Sequence, residues 1–211
     1  MIRARSRAVC TMAHGPHLAL LDVTGPALDR YAERHGYELI EVKHRLDPTR
    51  PASWDKIVLL RDLVRRFDLV VWFDADALVL DAAPDIEEAL RPRRFLHLVE
   101  HRVNGARVPN AGVIALRGGQ ISARFLDHVW RQRRFIADKW WENAAILHLL
   151  GYRDFDGLRP VVPSPWRLGF ATLDTAWNSI PADPAPHPYV VHCAGMPFGE
   201  RLPYLRSFVG S

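Results

Sequence analysis

Hydrophobic and polar positions along the chain fall into short apolar runs separated by segments with helical spacing. Ala8 to Met12 is a brief apolar run, Leu18 to His35 spaces its apolar residues like a helix, and Tyr37 to Val42 alternates like a strand. This predicts a β-α-β opening. Ser53 is placed to cap a second helix reaching about Phe67, with Ile57, Leu60, Leu63 and Val64 on one face. Leu69 to Phe73 follows as an apolar strand running into Asp74-Ala75-Asp76. Beyond it the pattern predicts a short helix over Pro84 to Leu90, strands over Phe95 to Glu100 and Gly112 to Leu116, and helices over Ala123 to Arg134 and Trp141 to Leu150. From Pro160 to Pro188 prolines are frequent and regular structure is sparse, before a last strand over Tyr189 to His192.

Strands alternating with helices build an open, helix-covered α/β sheet whose ligands bind beyond the carboxyl ends of the strands. The chain has neither an internal repeat nor a linker, so residues 1–211 are expected to form one domain. The formal charge is +4, with the basic residues scattered, so nothing marks a nucleic-acid partner. The basic start, Met1 to Arg7, leads into an apolar run broken by His14, Pro16 and His17, which suits a signal peptide poorly. No stretch reaches the roughly 20 apolar residues of a membrane span, although contact with a membrane surface stays open. Cys10 and Cys193 each lie in a strand-like apolar setting and suit buried free thiols.

Chemistry concentrates at a few places. Asp74 and Asp76 follow an apolar strand, and because side chains alternate along a strand these two carboxylates point to the same side and are expected to converge on one point. Such charges need a counterion, and magnesium or manganese shared with phosphate suits them; the plainer reading is a turn after a strand. His192 ends another apolar run; a lone histidine there is usually structural, whereas paired with the distant acids it suits a third metal ligand, with Gly195 letting backbone approach a phosphate. Lys56, near the start of a helix, is by default a solvated surface lysine. Asn110 enters a strand and is either a turn residue or a hydrogen-bonding partner for a sugar hydroxyl. Glu142 and Asn143 open a helix after two tryptophans; they are either a first turn favoured by the helix dipole or a polar pair facing a reacting sugar.

The succession Tyr31-Ala32-Glu33-Arg34-His35-Gly36-Tyr37, Trp54-Asp55-Lys56, Phe73-Asp74-Ala75-Asp76, Asn110-Ala111-Gly112, Glu142-Asn143, Trp177-Asn178-Ser179-Ile180-Pro181 and His192-Cys193-Ala194-Gly195 resembles the galactosyl and mannosyl transferase family. Each motif is loose, but their common order over about residues 31 to 195 makes the combination specific. The resemblance implies a GT-A fold, a UDP- or GDP-linked sugar donor, a glycan or other hydroxyl acceptor, manganese (or magnesium) and retention at the anomeric carbon. It assigns Asp74, Asp76 and His192 to the metal and Gly195 to the diphosphate. Thr11 matches a nucleotide-contacting position, and Lys56 would support the departing diphosphate. Asn110, Glu142 and Asn143 would position the donor sugar. Glu142-Asn143 stands where the family has Asp-Gln, a carboxylate and an amide with exchanged lengths. The membrane anchor and stem of eukaryotic members have no counterpart in this sequence, so a secretory-pathway location is not carried over; a poor signal-peptide fit and the lack of an apolar span make a cytoplasmic location the expectation. Two other readings stand beside it. One is a phosphatase of the haloacid dehalogenase type, against which Leu78 and the late position of the Asp-x-Asp argue; the other is a module that binds a nucleotide or glycan without turnover.

Overall fold

A computed structural model describes residues 5–103, 105–153 and 161–209; the first part of the basic start, Met1 to Ala4, and Pro160 lie outside the described residues. The chain opens with β1 (Arg7–Met12), α1 (Leu18–His35) and β2 (Glu38–Val42), then α2 (Asp55–Arg66), β3 (Leu69–Phe73) and β4 (Ala77–Val79). There follow β5 (Leu96–Val103), β6 (Ala106–Arg117), α3 (Gln120–Trp130), α4 (Trp141–Leu149), β7 (Phe170–Leu173), β8 (Val190–His192) and α5 (Phe198–Arg206).

Six strands form one sheet in the order β2-β1-β3-β6-β5-β7. β1 pairs in parallel with β2 and β3, and β5 with β7, while β6 runs antiparallel to both its neighbours. Five of the six strands therefore point the same way. β4 and β8 form a separate antiparallel pair. Strand alternation divides the core. Cys10, Val70, Trp72, Ile114 and Leu116 face one side with α2 and α3, and Val9, Val71, Phe73, Val113 and Ala115 face the other with α1. Ile57, Leu60 and Leu63 of α2 are fully buried, each stabilising the fold by roughly 1.5–3 kcal/mol. α1 ends where Gly36 takes a left-handed conformation, φ 68°, that lets the Tyr37 N–H return to Ala32 O at 2.9 Å.

Several expectations need correcting. Ser53 does not cap α2. Residues Ala52–Trp54 already form a 3-10 turn, and Trp54 holds helical angles, whereas a capping residue needs an extended backbone. The stretch Pro84 to Leu90 contains only a 3-10 turn, Ile86–Ala89, whose entry is capped by the Asp85 side chain. The helix expected over Ala123 to Arg134 starts three residues earlier, after Gly119, and ends at Trp130. β4, β7 and α5 were not anticipated; the last carries Pro203 inside it, and β7 is a four-residue edge strand. Among the described residues no helix is long and apolar enough to cross a membrane.

Candidate functional site

β3 ends at Phe73, so Asp74 and Asp76 do not share a strand face. They sit in the tight turn joining β3 to β4, closed by Ala77 N–H donating to Asp74 O at 2.9 Å. The expected convergence exists, but a turn and not strand alternation produces it. The buried Thr24 hydroxyl of α1 donates to Ala75 O at 2.9 Å and holds the middle of the turn. Antiparallel pairing of β4 with β8 then sets His192 opposite Ala77, and Cys193 N–H donates to Asp76 O at 3.2 Å. Backbone pairing thus carries a side chain from the end of the chain to the acids of its middle.

The His192 Nε2 lies 3.3 Å from Asp76 Oδ1 and 3.6 Å from Asp74 Oδ2. One ligand atom from each of the three residues lies within 4.8 Å of the others. The other ring nitrogen of His192, Nδ1, is 2.9 Å from Asn178 Oδ1. Asp76 Oδ2 accepts from Arg201 of α5 at 3.0 Å. Burial alone would raise the Asp76 carboxyl, yet His192 and Arg201 outweigh it and hold the group at about 2. Burial would likewise depress His192, but Asp76 and Asp74 raise it.

Lys56 is the largest departure from a bland reading. It is 5% exposed, and its ammonium meets Asp74 Oδ1 at 2.8 Å, Glu142 Oε1 at 3.0 Å and Ala111 O at 2.9 Å, using all three donors. Burial works against its charge, and the two acids more than compensate, so its pKa is raised. Trp72 Nε1 donates to the same Asp74 Oδ1 at 2.7 Å. Glu142, also buried, is raised by desolvation against the opposing pull of Lys56, and its Oε2 has no hydrogen-bond partner among the described residues. Asn143 Oδ1 is likewise buried and unpartnered.

One cavity of about 530 Å³ has Lys56, Asp74, Asp76, Asn110, Glu142, Asn143, His192 and Gly195 in its wall. Trp141 stands at its edge, 45% exposed and at φ 43°, while Trp54, Trp72 and Trp177 are core residues. The Asn110 oxygen is occupied, accepting from Gly112 N–H at 2.7 Å and from Asn178 Nδ2 at 2.9 Å. Gly195 has φ 80° and open space around it, so its backbone conformation and not crowding asks for glycine. Thr11 is not in this wall. Its hydroxyl is buried in β1 without a partner among the described residues, while Met12 and Ala13 line an adjoining cavity of about 300 Å³ that also reaches Lys56, Asp74 and Asp76. Sequence reasoning passed over Asn178 and Arg201 as functional groups. Asn178 lay inside a quoted motif without a role, and nothing local marks Arg201.

The parallel-rich sheet, the small β4–β8 pair and an acid-lined cavity at their junction define a GT-A fold. A glycosyltransferase involved in the glycosylation of the major capsid of PBCV-1 matches with a TM-score of 0.70 at 14% identity, over 95% of this chain and 99% of that one. The galactosyltransferase LgtC, solved with donor and acceptor sugar analogs, matches at 0.57 and 12% identity over 97% of each chain. Mouse xyloside xylosyltransferase 1 matches at 0.51 and 10% identity, over 90% of this chain and 98% of that one. At such identities these likenesses establish the fold. Residues 28–104, from within α1 through Lys56 and the Asp74–Asp76 turn, match the sequence profile of the galactosyl transferase GMA12/MNN10 family, and the chain is a glycosyltransferase. No curated protein matches it. The phosphatase reading is thereby set aside.

Proposed function

We propose that the protein transfers a hexose or pentose from a UDP- or GDP-linked donor to a hydroxyl of a glycan or other acceptor, with retention, using a divalent cation held by Asp74, Asp76 and His192. The observation that carries this is the gathering of those three side chains, from two separate strand connections, at the wall of one cavity. Their donor set suits such an ion: carboxylate oxygens and an imidazole nitrogen are ligands of manganese, and magnesium takes oxygen-rich sites of the same kind. When bound, the ion would offset negative charge on the departing nucleoside diphosphate.

The chain's own groups supply the rest. Arg201 lines the same cavity and brings positive charge beside Asp76, where the diphosphate is to lie. Lys56 acts through its neighbours, since its three donors fix Asp74, Glu142 and the Ala111 carbonyl in one arrangement. Glu142 and Asn143 keep buried unpartnered oxygens beside the cavity, and these are the groups placed to meet the donor sugar. Trp141 presents an aromatic face to stack on a sugar ring or base. Gly195 leaves room for the diphosphate, and Met12 and Ala13, next in the chain to the buried Thr11, border the side on which the nucleoside is to lie. The two buried free thiols, Cys10 and Cys193, favour a reducing compartment, in keeping with a cytoplasmic site of action.

The test is manganese-stimulated release of nucleoside diphosphate from a panel of nucleotide sugars, with the product anomer read by NMR. Asp76→Asn and His192→Ala should lose the stimulated rate while staying folded. Full activity in either variant removes the metal assignment. Tight donor binding without turnover favours the non-catalytic module instead.

A further inference from the structure

Behind the metal-binding face of His192 lies a chain of hydrogen bonds whose direction can be fixed without assuming any tautomer. Gly112 N–H is a backbone donor, so the Asn110 atom it meets at 2.7 Å is the amide oxygen. The Asn178 atom 2.9 Å from that same oxygen must then be its NH₂ group. The other end of Asn178, its Oδ1, is left facing His192 Nδ1 at 2.9 Å, and an oxygen there requires Nδ1 to carry a proton. Nε2 is the remaining nitrogen, and it points at Asp74 and Asp76.

We propose that Asn178, oriented by Asn110 and Gly112, is a positioning residue that holds His192 with Nδ1 protonated, so that Nε2 presents its lone pair to the cation site. The inference rests on the metal reading above for its purpose, though not for its geometry. Asn178 is completely buried at the end of the 3-10 turn Thr175–Asn178, and Ser179 pairs with β8 on both sides, its N–H donating to Val190 O and its carbonyl accepting from His192 N–H, each at 2.8 Å. Backbone pairing therefore sets the amide beside the imidazole. Gly112 belongs to the device for a second reason: a Cβ there would run into the His192 ring. Asn110 thus acts through Asn178, with its oxygen spent on the relay and only its NH₂ group left for a sugar.

A ligating histidine whose far nitrogen is anchored keeps one ring orientation, and loss of such an anchor typically costs 10–100-fold in metal affinity. Two variants separate this role from simple packing. Asn178→Leu keeps the volume and removes the acceptor. Asn178→Asp keeps an acceptor opposite Nδ1 but loses the donor to Asn110, so both variants disturb the fold while only the first releases the tautomer. Long-range proton–nitrogen NMR on imidazole-labelled protein without metal should find Nδ1 of His192 protonated in both charge states of the wild type and of Asn178→Asp, and not uniquely so in Asn178→Leu. Manganese binding, followed by electron paramagnetic resonance of the free ion, should weaken roughly 10–100-fold in Asn178→Leu and recover in Asn178→Asp. A wild-type ring protonated on Nε2 alone, or equal manganese affinity in wild type and Asn178→Leu, overturns the proposal. A wild type that binds no manganese yet keeps the Nδ1 proton sinks the metal reading and leaves the relay standing.

Discussion

Two carboxylates buried within a few per cent of completely, Asp55 and Glu142, show how a supporting region of this molecule differs from its site. Asp55 is 0% exposed and both its oxygens are paired: Oδ2 accepts from Arg45 Nε at 2.6 Å and Leu46 N–H at 3.0 Å, and Oδ1 from Asp47 N–H at 3.1 Å. It ties the loop after β2 to the start of α2. Glu142 has one oxygen on Lys56 and, among the described residues, no partner for the other. Native interiors satisfy nearly all buried polar atoms, and unlike the orphans Trp54 Nε1 and His97 Nδ1, Glu142 Oε2 belongs to a residue of the cavity wall, where the fold gives up stability for a capacity to bind. Asp55 and Lys56 are adjacent in sequence, yet one belongs to the support and the other to the site. Trp54 before them is fully buried against Trp130.

The contrast can be broken most severely at the glycines. In Gly112→Ala the new methyl group meets the His192 imidazole and lies 2.9 Å from Asn110 Oδ1, so the ring must leave its place. Manganese-stimulated turnover should fall by about 100-fold, because small misplacements of a reacting constellation cost that much. Overpacking should add about 1–3 kcal/mol of instability. Gly195→Ala meets no atom and should cost only about 1–2 kcal/mol from its positive φ. Wild-type turnover in Gly112→Ala would show that His192 is not required where it stands.

Next in size is Asp55→Ala, which takes the carboxylate partner from Arg45 and strands two backbone donors. Urea unfolding should register a loss of roughly 3 kcal/mol, while turnover per folded molecule stays close to wild type. A collapse of activity with unchanged stability would erase the distinction between support and site.

A third test uses pH on the supporting side. Desolvation lowers His97 from its ordinary 6.5 to about 4, and the neutral ring accepts the Arg91 N–H at 3.0 Å. A depressed histidine means that the unfolded chain binds a proton the native state refuses. Stability is therefore full above about 6.5 and declines as pH falls toward 4, by roughly 2 kcal/mol at pH 5. His97→Gln, which keeps an acceptor for Arg91, should flatten this slope. An unchanged slope in that variant assigns the pH dependence to another group.

How much of this was legible in the sequence follows the same division. Leu18–His35 and Leu69–Phe73 were readable to the residue because their apolar spacing is local and strong. β4 was not, because three residues after a turn carry no period, and their pairing with β8 is a contact over more than a hundred positions. α5 hides behind Pro203, and β7 behind its shortness. At the site, Asp74, Asp76 and His192 could be named from strand ends. The burial of Lys56 could not, since the acids that justify it are 18 and 86 positions away. Asn178 and Arg201 depend on partners just as remote: their roles are properties of the folded meeting and not of any local pattern.

The smallest stability effect is expected at Glu142, and it is the sharpest test of the contrast. Burial raises this carboxyl, so its charged form costs stability as pH rises from the ordinary carboxylate range through its folded value. Glu142→Gln removes that charge but keeps an oxygen for Lys56, which retains Asp74 as its other anion. The two changes oppose each other, and urea unfolding at pH 7 should move by less than about 1 kcal/mol. Turnover should nevertheless fall by about tenfold or more, because the unpartnered carboxylate oxygen is what the cavity offers the donor sugar. Were the variant instead as unstable as Asp55→Ala with turnover per folded molecule intact, Glu142 would be one more supporting carboxylate, and the orphaned oxygen would need an explanation from packing alone.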